Sequence, residues 1–143
     1  MAFLREHFKQ WACDDWQREQ PRGASSRTLR SPRYNYFIRV DREALNSVDS
    51  APASQDAKPW ANNAGWVDFI DATWTSELDD LGSETEEVDM PDLDFEPIEG
   101  CREEDVGWMK VPAERICTEL HSLFDRHQIW NVLYKRPPEV AEI

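Results

Sequence analysis

Cys117, His121 and Asp125 are the residues of this chain best spaced for covalent chemistry. They recur at i, i+4 and i+8, so a helix would set them in one stripe. A thiolate beside an imidazole that a carboxylate orients is the arrangement of a nucleophilic cysteine, as in a small cysteine-dependent hydrolase. The same stripe borders an apolar face of Ile116, Leu120 and Phe124. A cysteine on such a border is more commonly a small buried hydrophobe. Catalytic sets also usually gather from separate elements, and no glycine-rich oxyanion loop lies near these three. The reading therefore leans away from an enzyme.

Metal and nucleotide chemistry find less support. Cys117 and His121 would give zinc two of the four ligands it takes, and neither CxxC nor HxxxH occurs. Asp92, Asp94 and Glu96 alternate in DLDFEP as in a calcium loop. Pro97 holds the sixth position, where that loop needs glycine. The glycines scatter without a phosphate-binding pattern, and a GxSxG elbow is absent. No cofactor and no resident metal is expected. Asp68 and Asp71 would be acid/base candidates if they lined a cleft, although an aspartate near a strand end more often caps a turn or faces solvent.

The charge distribution is the stronger signal. The net charge is −13, yet residues 68–105 hold sixteen Asp/Glu against Arg102 alone, a local charge of −15. Everything outside that window sums to +2. Within it, ETEEVDMPDLDFEPIEG (84–100) sets Val88, Met90, Leu93, Phe95 and Ile98 among the acids. Carboxylates interleaved with bulky apolar groups suit a basic, apolar partner surface: the charges steer association and the apolar groups hold it. The binding residues expected on this ground are Trp74, Asp89, Asp92, Leu93, Asp94, Phe95, Glu96 and Ile98. Such a surface would also imitate a phosphate backbone. The plainer alternative is a solvated insert that Leu93, Phe95 and Ile98 tack onto its own domain.

A basic arm lies upstream, with Arg18, Arg22, Arg27, Arg30 and Arg33 opposed only by Glu19. Its neighbours Tyr34 and Tyr36 would be able to stack on bases. The acidic total disfavours direct nucleic-acid binding all the same.

These residues need elements to position them. At 143 residues the chain is expected to form one domain (1–143), with linkers at about 20–33 and 50–64 and an acidic insert at about 75–105. Leu4, Phe8, Trp11 and Cys13 or Ala12 mark an amphipathic helix over 3–19. Tyr34, Tyr36, Ile38 and Val40 alternate as a strand over 34–40, and Asp41 is placed to cap a short helix in REALNSV. Strands follow at 65–74 and 106–111. Pro112 fits the first position of a helix over 113–127. IWNVLY (129–134) reads as another strand, with continuation of the helix as the alternative, and Pro137 and Pro138 end the ordered chain.

The pattern implies an α+β fold, a small mixed or antiparallel sheet of three to four strands packed against the N-terminal and C-terminal helices. No stretch approaches the roughly 18 apolar residues of a membrane span. The N-terminus is not of secretory type, and three widely spaced cysteines, Cys13, Cys101 and Cys117, suit a reducing, intracellular compartment. The expected function is a non-enzymatic interaction module for a basic protein partner. Its seven tryptophans leave a homo-oligomeric scaffold as a further alternative.

Overall fold

A computed structural model describes residues 1–19, 31–51, 65–76, 95–116, 118–124 and 128–143, with Thr118, Glu119 and His121 described by their backbone alone. Helix α1 spans Ala2–Glu19 and the short helix α2 spans Pro32–Asn35. Strand β1 (Tyr36–Arg39) leads into α3 (Arg42–Asp49). Strands β2 (Trp66–Asp71) and β3 (Trp108–Pro112) follow. A 3-10 turn (Ala113–Arg115), α4 (Thr118–Leu123) and α5 (Gln128–Leu133) complete the order. The three strands form one antiparallel sheet in the order β1-β2-β3. The architecture is α+β.

The register explains how the strand residues divide. Ile38, Phe69 and Met109 stand side by side, as do Val67 and Val111. On that face Tyr36, Val67, Phe69, Met109 and Val111 pack against Leu120, Phe124, Trp130 and Ala141. Tyr36 stacks on Phe69 at 5.2 Å and on Trp130 at 5.7 Å, and Phe69 meets Phe124 at 4.7 Å. Each large apolar side chain buried here is worth roughly 1.5–3 kcal/mol. The opposite face carries Phe37, Ile70 and Trp108, with Arg39, Asp68 and Lys110 forming a charged row across its middle. Phe8 of α1 covers part of this face, stacked on Phe37 at 4.8 Å.

Local chemistry sets the element ends. Asp41 caps α3 by accepting from the Ala44 amide at 2.9 Å, as its position predicts. Pro32 opens α2, a turn that takes the first residues of the strand expected at 34–40, so β1 starts at Tyr36.

Three expectations are corrected. The strand expected at 129–134 is helix α5, because Trp130, Leu133 and Tyr134 follow helical spacing toward the core. The helix expected over 113–127 begins with the 3-10 turn, and Pro112 ends β3 instead of opening a helix. The chain stays ordered past Pro138: Ala141 is fully buried and donates to the Lys110 carbonyl at 2.8 Å, and Val140 forms a single bridge on the outer edge of β3.

The face expected on α1 holds in part: Ala12 is buried and Phe8 packs on Phe37, but Leu4 and Trp11 are exposed and Arg5 is buried instead. Among the described residues no helix is long and apolar enough to cross a membrane.

Candidate functional site

The acidic window connects β2 to β3, and both of its ends are fastened to the folded body. Three arginines from distant parts of the chain hold the returning segment 95–107. Arg5 of α1 donates from Nη2 to the Val106 carbonyl at 2.9 Å. Arg39 of β1 lies 3.7 Å from the Glu99 carboxylate. Arg136, beyond α5, donates to the Glu96 carbonyl at 2.7 Å and to the Cys101 carbonyl at 3.5 Å. On the outgoing side the Ser76 hydroxyl is hydrogen-bonded to Glu103. Ile98 and Cys101 pair across a tight turn and pack with Ile70 and Trp108.

Arg5 is the centre of this arrangement. It is 7% exposed, and its Nε donates to the Asp71 carbonyl at 3.0 Å. Trp74 covers its guanidinium at 4.6 Å. Gly107, at φ 72°, lets both pass: a methyl group there would strike the Trp74 ring and Arg5. Burial lowers the Arg5 pKa, opposed chiefly by Asp71. Asp105 lies just below, accepting from the Gly107 amide and from the Trp130 indole, both at 2.7 Å. Burial raises its carboxyl above the ordinary range against those two bonds. The Tyr134 hydroxyl accepts from the Val106 amide and donates to the Glu104 carbonyl, both at 3.0 Å, and burial pushes this phenol up to about 12.

The expected binding residues fall into two groups. Trp74 and Ile98 line one cavity of about 620 Å³ together with Arg5, Ser76, Cys101 and Trp108. Both serve the protein's own packing there. Phe95 is 40% exposed and carries the Arg136 guanidinium on its ring at 5.1 Å, and the Glu96 side chain is exposed. Asp89, Asp92, Leu93 and Asp94 lie outside the described residues. So do Cys117 and Asp125, and His121 sits within α4.

The two aspartates singled out by sequence have separate roles. Asp71 ends β2 and accepts from the Thr73 amide at 2.7 Å and the Thr73 hydroxyl at 2.6 Å, which is turn capping. Asp68 lies in the charged row and is 1% exposed. Its Oδ2 takes two bonds from Arg39 at 2.7 Å, while Oδ1 has no hydrogen-bond partner among the described residues. Burial raises its carboxyl against the pull of Arg39. Lys110 turns away onto the Trp66 ring at 3.6 Å. These groups line a cleft of about 250 Å³ beside Trp66 and Trp108.

The stacking platform considered for bases is overturned. Tyr34 and Tyr36 are both buried, Tyr36 in the aromatic core, and Arg33 beside them is paired with Asp15 at 2.9 Å. Arg22, Arg27 and Arg30 lie outside the described residues. Among the described residues no group of three or more His, Cys, Asp and Glu is placed to hold a metal ion.

Sequence reasoning missed Arg5, Arg39 and Arg136, all of which read as ordinary surface charges. One signal was present for Arg5: positions 1, 5, 8 and 12 form a helical stripe in which Arg5 stands among Met1, Phe8 and Ala12. Comparison of the chain with protein families, curated proteins and solved structures finds no match.

Proposed function

We propose that this protein is a non-enzymatic interaction module that binds a basic protein surface through its acidic segment. The observation that carries the reading is the fastening of that segment at both ends. Ser76 is tied to Glu103 on one side, and Arg136 grips the backbone at Glu96 on the other. Between these anchors, residues 77–94 hold nine carboxylates and no basic residue.

The charges of the wider window divide by use. Asp68, Asp71, Glu99 and Asp105 meet partners within the fold. The nine acids of 77–94 are the reserve that a basic partner would meet, and Phe95 is the exposed apolar group at the edge of it. Anchored ends reduce the loop-ordering entropy that binding must overcome. Clustered charge steers association with a basic surface and repels polyanions.

The test changes only the reserve. A chain with the nine carboxylates of 77–94 converted to amides is compared with the native chain in capture of basic proteins from a lysate. A second control neutralises exposed acids of the body instead: Glu6, Glu43, Asp49, Glu114, Glu139 and Glu142. The reading requires capture to be lost with the first set and kept with the second. Equal capture by all three chains sinks it.

A further inference from the structure

The cavity beside α1 has a feature that the acidic segment does not account for. Arg5 is 93% buried by its 7% exposure, yet it makes no ion pair among the described residues. A buried charge is ordinarily paired, because leaving water costs several kcal/mol that a counter-charge offsets. Here two backbone carbonyls, Asp71 and Val106, take one N–H from Nε and one from Nη2. Guanidinium has five N–H groups, so three are left, including a parallel pair along the Nη1–Nη2 edge. Nη1 has no hydrogen bond among the described residues, and the Trp74 ring fixes the plane of the group.

The surroundings match an anion with an apolar body. Trp74, Ile98, Val106 and Trp108 supply apolar walls. Glu99 is the one carboxylate that the described lining contributes, and it is held by the Met1 ammonium at 2.7 Å, with Arg39 at 3.7 Å. Asp71 and Asp105 are near but not part of the lining. Their carboxylates are occupied by Thr73, by Gly107 and by Trp130. The volume, about 620 Å³, falls in the roughly 300–1,000 Å³ range of small-molecule sites. One free guanidinium edge matches the two oxygens of a carboxylate, whereas a phosphate dianion would find one uncommitted cation for its charge, because the Met1 ammonium in the lining is already paired with Glu99 at 2.7 Å.

We propose that this cavity binds a small organic carboxylate with a flat apolar body, its two oxygens forked on the Nη1–Nη2 edge of Arg5. The ligand is recognised by Arg5 and the anchored ends of the acidic segment, not by the carboxylates of 77–94, and its binding does not depend on a protein partner.

The test is an NMR titration of the full ¹⁵N-labelled chain with benzoate, benzyl alcohol, benzylamine and inorganic phosphate in turn. Benzoate is expected to saturate shifts at the Gly107 amide and the Trp74 and Trp108 indoles, binding about tenfold or more tighter than benzyl alcohol, since bonds to a charged group are worth roughly 1.5–3 kcal/mol. Arg5→Lys keeps the charge, loses the fork and is expected to remove most of that difference. If this variant does not fold, the comparison of ligands on the native chain decides alone. The proposal is overturned by no saturable benzoate shift at these residues, by equal affinity for the alcohol, or by tighter binding of the amine or of phosphate.

Discussion

Gly107 shows how much of this protein rests on single residues. It occupies left-handed backbone at φ 72°, and the guanidinium of Arg5 and the ring of Trp74 cross where its side chain would be. Gly100 has a similar dihedral, φ 89°, but open space around it. Replacing Gly100 by alanine should cost about 1–2 kcal/mol, the ordinary penalty of that backbone region. Gly107→Ala should cost clearly more, because packing is lost as well. Urea unfolding of the two variants checks this, and equal losses would mean that the Arg5–Trp74 contact contributes little.

Asp105 gives a second prediction at this scale. Its pKa is raised by burial, so the folded chain holds its proton more readily than the unfolded chain does. Its contribution to stability therefore grows as the pH falls from its folded value toward the unfolded one, and is unfavourable above that window. Asp68 acts in the same direction. Asp105→Asn removes the titration and one of the two hydrogen bonds to Gly107 and Trp130. The native chain should gain stability relative to this variant as the pH is lowered from 7 toward the ordinary carboxyl value of 3.8, read from urea midpoints along that range. Parallel midpoints would contradict the assignment. The helical stripe hinted at an inward Arg5, but its partners were not legible in sequence: they lie 66 and 101 residues away, and Asp105 meets Trp130 across 25. Burial of a charge is decided by such distant groups.

At the scale of elements, local rules read well where local chemistry decides. Asp41 was legible as a cap because the bond it makes, to Ala44, is three residues away. Asp41→Ala should lower stability by about 1 kcal/mol, with Asp41→Asn close to native, since asparagine keeps the capping oxygen. Thermal melts of the pair provide the check, and an equal loss in both would shift the role to the Arg39 contact at 3.6 Å. IWNVLY was misread because a six-residue apolar run satisfies strand and helix patterns alike. What settles it is the bonding of Trp130 to Asp105 and of Tyr134 to Val106, which needs both rings on one helical side. The α1 face was misread in part for a related reason. Its inward stripe includes a charged residue, and hydrophobicity alone assigns that residue to solvent.

At the scale of the whole molecule, the α+β class and the place of the acidic window between two strands follow from alternation and charge counts, while the antiparallel pairing of three strands is seen only in the structure. What counting does not reveal is that part of the acidity is internal. Arg5, Arg39 and Arg136 draw the returning segment onto the sheet, and the carboxylates around them cap turns and satisfy indoles. The surplus is thereby concentrated in 77–94, between fixed ends.

On the function proposed above, that surplus is what a basic partner meets. The most direct measurement is the dissociation constant of a captured basic partner across a range of salt concentrations, for the native chain and for the chain with 77–94 neutralised. Exposed charges are screened beyond about 10 Å at 0.1 M ionic strength. The native chain should lose affinity steadily as salt rises, and the neutralised chain should bind more weakly with a nearly flat response. The same affinity and the same salt dependence in both chains would contradict it.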